Sequence, residues 1–361
     1  MNFAKLIKSL FCLLLFFCGQ VFSSDGKSQL LVVKESQERS VGEKGMAWVS
    51  EVFRSGVMLA AVGGVLVLTY KLANRAKKES VKPLIETADN FDLEHAKEIL
   101  DSGHVGLDRV KEQILDFLAS RKLSKTGKSL ILCLHGPAGV GKTSIAKSIA
   151  KCMGRRFSSI ALGGVADAAE LAGRPPSYVN SRPSLFYNAL HKGGSVNPVM
   201  LLDEMDKLRD SALTGGSASA VLLEALDVEQ NQKFEDRYFR TSIDLSKVLF
   251  IVTANDLARI PDPLRDRMEL IEISGYSVEE KMEIARKITI PRVVGAAGLI
   301  GYGFELSDEV LREIIKKYDK EPGVRVLARR IERLCMKSTR EIAEGRKMPV
   351  FTKENIAEYF G

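Results

Sequence analysis

Apolar positions fall into three regimes along the 361-residue chain. Residues 10–17 form one unbroken apolar run, and residues 55–70 form a second with no charge inside it. From about Asp92 onward, short apolar runs of strand length alternate with stretches in which apolar residues recur every three or four positions. Residues 130–134, 157–161, 199–204 and 248–255 read as strands. Leu107, Val110, Ile114 and Phe117 keep helical spacing, as do Ile145 to Ile149 after the first strand. That alternation predicts an α/β domain. From Ser277 several helices follow, one opening near Glu321-Pro322-Gly323-Val324-Arg325, and they read as a separate small helical domain.

The two front runs change the picture of where the chain sits. Lys5 and Lys8 precede the first run, and Val21-Phe22-Ser23 ends it with a small-residue cleavage pattern, so residues 1–24 read as a signal peptide or a first membrane segment. Residues 25–54 are polar and aperiodic and read as an extracytoplasmic loop. Residues 55–71 read as a transmembrane helix, with Trp48 and Tyr70 as interface anchors. Lys71, Arg75, Lys77, Lys78 and Lys82 follow at once, which keeps the C-terminal side in the cytoplasm and predicts location in the inner (cytoplasmic) membrane. Gly56, Ala60 and Gly64 fall four apart; Gly and Ala are frequent in such spans, and the spacing is read as ordinary. Residues 72–95 read as a charged helical linker.

Charge adds little beyond this. The net charge is +7, but residues 1–80 hold eleven Lys/Arg against six Asp/Glu, so most of the excess flanks the membrane. No local basic–aromatic cluster marks a nucleic-acid surface. Cys133, Cys152 and Cys335 are scattered and no CxxC occurs, which points to neither a disulfide framework nor zinc. The four histidines lack ligand spacing, and His135 reads as a strand-end residue.

The candidate chemistry lies at the ends of the strands. Gly136-Pro137-Ala138-Gly139-Val140-Gly141-Lys142-Thr143 is a complete G-x-x-x-x-G-K-[ST] loop between a strand and a helix. Its glycines let backbone N–H groups turn inward around phosphate oxygens, and the helix opening at Lys142 aims its positive end at the same anion. Lys142 is expected on the β- and γ-phosphates of ATP, and Thr143 on Mg²⁺. The strand at 199–204 ends in Asp203, expected to hold the Mg²⁺ shell, and Glu204, expected to polarise the attacking water. Asn255 closes the strand at 248–255 and is placed to orient that water. Arg265 and Arg267 are read at the start of a short helix, each open to a role on a neighbouring subunit's γ-phosphate or to a surface ion pair.

Together these residues resemble the ATPase module of Lon proteases, within the AAA+ superfamily. The resemblance runs from about Asp92 to Gly361 and draws also on residues 99–107, 160–165, 220–231, 264–268 and 274–276. It implies a P-loop AAA+ three-layer domain with a parallel sheet over 96–276, then a helical lid over 277–361. It also implies a hexameric homo-oligomeric ring, with Arg267 as the finger acting in trans and Arg325 as the lid arginine that senses the γ-phosphate in its own subunit. The family's polypeptide-gripping pair would be Tyr178 and Val179. Nearby, Pro175-Pro176, Asn180 and Ser184 depart from the family pattern, and Pro and Asn are stiffer than the residues they replace. Residues 351–361 resemble the segment before the family's peptidase domain, so the sequence leads to the expectation of a motor without a peptidase site or the family's N-terminal substrate domain. Three readings follow: a membrane-anchored remodelling or unfolding ATPase, the ATPase half of a split protease with a separate peptidase subunit, and an ATP-binding regulatory subunit of a Lon-like ring. Nucleic acid is not an expected partner.

Overall fold

Parallel strands need long crossovers, and the helical stretches between the apolar runs provide them. A computed structural model describes residues 83–123, 131–165, 167–208 and 217–360. In chain order its main elements are α1 (Leu93–Gly103), α2 (Asp108–Leu123), β1 (Ile131–His135), α3 (Lys142–Cys152), β2 (Phe157–Ala161), α4 (Ala168–Ala172), α5 (Leu185–Gly193), β3 (Val199–Asp203), α6 (Ala218–Leu226), β4 (Phe234–Asp236), β5 (Thr241–Ile243), β6 (Leu249–Ala254), α7 (Asp262–Arg265) and β7 (Met268–Glu272). The helical part follows with α8 (Val278–Ile284), α9 (Ile290–Ala296), α10 (Asp308–Glu313), α11 (Arg325–Ala343) and α12 (Ile356–Phe360).

Five strands form one parallel sheet in the order β2-β3-β6-β1-β7, and β4 and β5 pair as a small antiparallel hairpin. Register is set by burial on both faces: Leu132 lies beside Ile251, and Cys133 beside Val252. Alternate residues of each strand enter opposite cores. Cys133, Met200, Leu202, Phe250 and Val252 pack with α4, α5 and α6. Leu132, Leu134, Leu201 and Ile251 pack with α1, α2 and α3. Helices therefore cover both faces of the sheet. Each fully buried Leu, Ile or Phe contributes roughly 1.5–3 kcal/mol, which makes the sheet a stiff platform for whatever its strand ends carry.

The helical part starts at a capping box: the Ser277 side chain accepts the Glu280 N–H, and Glu280 accepts the Ser277 N–H. The wider turn at Ala285–Thr289 sits just before Pro291, which has no N–H to give to a regular helical bond. A third core of Leu311, Ile314, Leu327, Ile331 and Leu334 holds these helices together, closed by the rings of Phe304, Phe351 and Tyr359.

Two expectations are corrected. Residues 83–92 are not a helix. Ile85 forms a parallel bridge to Ser195, and Asn197 Oδ1 accepts both the N–H and the hydroxyl of Thr87 at 2.9 and 3.1 Å. Asn90 Oδ1 takes the Asp92 N–H, and Asp92 then caps α1, so side chains that compete for backbone groups keep this stretch extended until Leu93. Likewise, Arg265 ends α7 and Arg267 follows it, because Pro261 and Pro263 fix the start of that helix at Asp262. The expected leader, loop and membrane span at 1–71, the linker as far as residue 82, and Leu130 lie outside the described residues. Among the described residues no helix is long and apolar enough to cross a membrane.

Candidate nucleotide site

The C-terminal ends of β1, β3 and β6, neighbours in the sheet, deliver the phosphate loop, Asp203 with Glu204, and Asn255 to one edge. The loop from Gly136 to Gly141 turns through left-handed backbone at Gly136, Gly139 and Gly141, with φ of 142°, 81° and 99°. At Gly136 a Cβ would stand 2.0 Å from the Ile273 carbonyl, so only glycine fits there. Gly141 caps α3 without a side-chain bond, leaving the first-turn N–H groups of that 11-residue helix for an outside acceptor. Lys142 Nζ donates to the Gly136 and Pro137 carbonyls at 2.6 and 2.7 Å and to Asn255 Oδ1 at 2.9 Å. Burial lowers its pKa, while Asp206, Asp203 and Glu204 pull the other way.

Asp203 is the last residue of β3, and Glu204 leaves it with φ 61°, a conformation a glutamate adopts at a cost. Thr253 holds that turn: its Oγ1 accepts the Glu204 N–H at 3.0 Å and donates its proton to Asp203 Oδ1. The Glu204 carboxylate is paired with Lys207 at 2.7 Å, both half exposed. Gly163 comes so near that a Cβ there would meet Glu204 Oε2 at 2.6 Å.

The helical part closes the other side. The Tyr276 hydroxyl donates to the Val140 carbonyl at 2.7 Å, and the Val324 N–H to the Gly139 carbonyl at 3.1 Å. Burial pushes the Tyr276 phenol up to about 12. Arg325, the first residue of α11, lines a cleft of about 500 Å³ together with Ala138 to Thr143, Asp203, Glu204 and Asn255. His104 lines it as well, buried and bonded through Nε2 to Ser148 Oγ at 3.1 Å; burial pushes its pKa down to about 4.

Of the residues expected from sequence, the structure gathers the phosphate loop, Asp203, Glu204, Asn255 and Arg325 around this cleft. Arg267 stands away from it, paired with Asp227 at 3.0 Å and donating to the Leu223 carbonyl at 3.3 Å. Arg265 forms a surface pair with Asp262. Tyr178 and Val179 also lie outside the cleft, 64% and 86% exposed on a loop closed by the backbone pair Arg174–Arg182. Asn180 in that loop takes the left-handed backbone, φ 70°, open to Asn as well as Gly, and Ser184 serves as the N-cap of α5. Thr253, Lys207 and His104 were not singled out for the site. Thr253 had a faint signal, a hydroxyl two positions before Asn255, and Lys207 a local one, a cation three positions after Glu204, whereas His104 depends on long-range packing.

Residues 132–276 match the ATPase family associated with various cellular activities (AAA), and residues 296–350 match the Lon protease AAA+ ATPase lid domain. Lon protease 1 of Bacillus subtilis (strain 168) is 48% identical over 277 residues, covering 76% of this chain and 36% of that protein. The Lon protease of Geobacter metallireducens is 48% identical over 277 residues, 76% of this chain and 33% of its own length. That of Desulfovibrio desulfuricans is 46% identical over 261 residues, 72% and 29%. The chain thus spans about a third of the length of these curated relatives. A AAA domain followed by a Lon-type lid, with close to half of the aligned residues identical to Lon proteases across that region, places this chain in the Lon family by its AAA+ ATPase module.

Proposed function

We propose that this chain hydrolyses ATP with Mg²⁺ and uses the cycle to unfold or remodel polypeptides, as a membrane-anchored ring whose ATPase faces the cytoplasm at the inner (cytoplasmic) membrane. The observation that carries the reading is the convergence of the phosphate loop, the acid pair and Arg325 on one cleft. The residues fit the nucleotide: the loop turns through left-handed backbone at Gly136, Gly139 and Gly141, and α3 leaves its first-turn N–H groups without a side-chain cap for an anionic ligand. They also fit the metal, because Thr143 offers a hydroxyl and Asp203 a carboxylate, the hard oxygen donors Mg²⁺ takes. When bound, Mg²⁺ supplies positive charge to the β- and γ-phosphate oxygens.

The protein's own groups then divide the work. Lys142 leaves its carbonyl partners for phosphate oxygen, and Arg325 adds a second cation from the lid. Asn255 orients a water, and Glu204 takes its proton as the water attacks the γ-phosphorus and ADP leaves. Arg267 lies outside its own cleft, which supports a role towards a neighbour in a hexameric ring. Exposed Tyr178 and Val179 support a polypeptide grip, and the apolar span at 55–71 with its basic flank supports the anchor. The relatives' names as proteases favour a second reading, in which a separate peptidase subunit receives what this motor unfolds. Affinity isolation of the membrane complex that recovers no peptidase would remove it.

The direct test is Mg²⁺-dependent ATPase activity of the purified full chain. Lys142→Ala is expected to lose both binding and turnover, and Glu204→Gln to bind ATP yet stall. A wild-type chain with no turnover, or a Lys142→Ala variant as active as wild type, would refute the reading.

A further inference from the structure

One buried charge pair takes no part in the chemistry of the cleft. Lys281, on α8, donates to Asp319 Oδ2 at 2.8 Å and also to the Glu321 carbonyl. The two side chains are 6% and 0% exposed. Asp319 Oδ1 is buried with no partner among the described residues. As a stabiliser such a pair is poor, because desolvation offsets the attraction and an apolar pair of similar volume serves as well or better. The orphaned oxygen adds a further cost.

What the pair does fix is position. Lys281 grips the chain at both Asp319 and Glu321, between the end of the third helical segment of the lid and α11. The next three residues are fastened to the nucleotide site. The Pro322 carbonyl accepts the Tyr276 N–H at 2.9 Å, and the Val324 N–H donates to the Gly139 carbonyl at 3.1 Å. Between them Gly323 lies so close to the phosphate loop that a Cβ would stand 2.3 Å from the Gly139 carbonyl carbon. Arg325 follows at once. We propose that the Lys281–Asp319 pair is a positioning device for nucleotide turnover, clamping residues 319–324 against the phosphate loop so that Arg325 faces the γ-phosphate. This rests on the ATPase reading for Arg325, but the clamp itself is a separate claim.

The test uses the full chain with Asp319→Asn, the double variant Lys281→Met/Asp319→Leu, Arg325→Ala, and Asp319→Asn combined with Arg325→Ala. Amide exchange at Tyr276 and Val324 reads the clamp without any turnover. Melting temperature reads stability, and kcat/KM for ATP reads function. Asp319→Asn is expected to speed exchange at both amides and to lower kcat/KM roughly tenfold, with little further loss once Arg325 is already Ala. The apolar double variant is expected to melt at or above wild type and still lose turnover, which a merely structural pair would not do; it also keeps the test decisive should Asp319→Asn fail to fold. Unchanged exchange in the variants, losses that add fully to those of Arg325→Ala, or full turnover in the apolar double variant would each overturn the proposal. A wild-type chain that neither binds nor hydrolyses ATP would instead sink the ATPase reading, while amide exchange would still decide the clamp.

Discussion

Thr253 shows how much of the site depends on one hydroxyl. It sits in a buried strand and joins the two acids to which different tasks are proposed, fixing the carboxylate of Asp203 and the strained backbone of Glu204 with a single oxygen. Thr253→Val keeps the shape and removes both bonds. The expected result is a loss of about 1–2 kcal/mol of stability from the unpaired N–H. Turnover should fall roughly 100-fold, the loss that a small misplacement of a reacting group can cause, with ATP affinity largely kept. Steady-state kinetics beside a binding titration would separate the two, and equal losses in both would refute this role. His104 gives a second test at this scale. Its folded pKa, about 4, lies below the ordinary 6.5 because burial disfavours the charged ring. Between those values the unfolded chain binds a proton that the folded chain refuses, so stability is full above about 6.5 and falls as pH drops towards 4. The shift corresponds to roughly 3 kcal/mol across the window. Melting curves from pH 7 to 4 should show a drop that His104→Gln flattens.

Among the elements, α8 is where the large domain hands over to the lid, and its capping box is the local device that starts it. Ser277 Oγ accepts the Glu280 N–H at 3.2 Å, and Glu280 Oε2 accepts the Ser277 N–H at 2.8 Å. Ser277→Ala should cost about 1 kcal/mol and loosen the first turn of α8 before the rest of the lid, as read by amide exchange. This start was legible in the sequence, as were β2, α3 after the phosphate loop and α11 near Arg325, because local apolar spacing and turn residues mark them. What was not legible depends on distant partners. The extended stretch at 83–92 is held by Gly194 and Asn197, more than a hundred residues away in sequence, and a charged stretch without them reads as helix. β7 escaped because its burial neither runs nor alternates: Ile271 is inside, while Leu270 is 39% exposed, whereas β2, at the other edge, alternates cleanly. The phosphate loop, the acid pair and Asn255 could be named from the sequence, since the expected chemistry dictates their types, whereas Arg325 was named through the family resemblance. The left-handed turn at Glu204 and the hydroxyl that supports it could not, since both arise from the pairing of β3 with β6.

At the scale of the whole molecule, residues 79–361 cluster as one compact unit. The unit contains two cores around the sheet and a third in the lid, so a fragment beginning at residue 79 should fold and bind ATP as the full chain does. If the front end is the anchor, the full chain should sediment with membranes and this fragment should not; a fragment still bound to membranes would place the anchor elsewhere. A cut only fourteen residues later should behave differently, because it removes the extended stretch and not merely a tether. Asn197, 4% exposed, would lose the Thr87 N–H and hydroxyl that it accepts and the Thr87 carbonyl to which it donates. Arg155, whose side chain is 6% exposed, would lose Asp89 and keep only the Lys247 carbonyl. Three hydrogen bonds at about 1 kcal/mol each already come to about 3 kcal/mol, and a buried arginine without its carboxylate adds to that. The fragment beginning at residue 93 should therefore unfold at clearly lower denaturant than the fragment beginning at 79, even though both retain every residue of the nucleotide cleft. Equal midpoints would mean that residues 83–92 lie on the body without holding it. A large gap would make this stretch an integral part of the folded body.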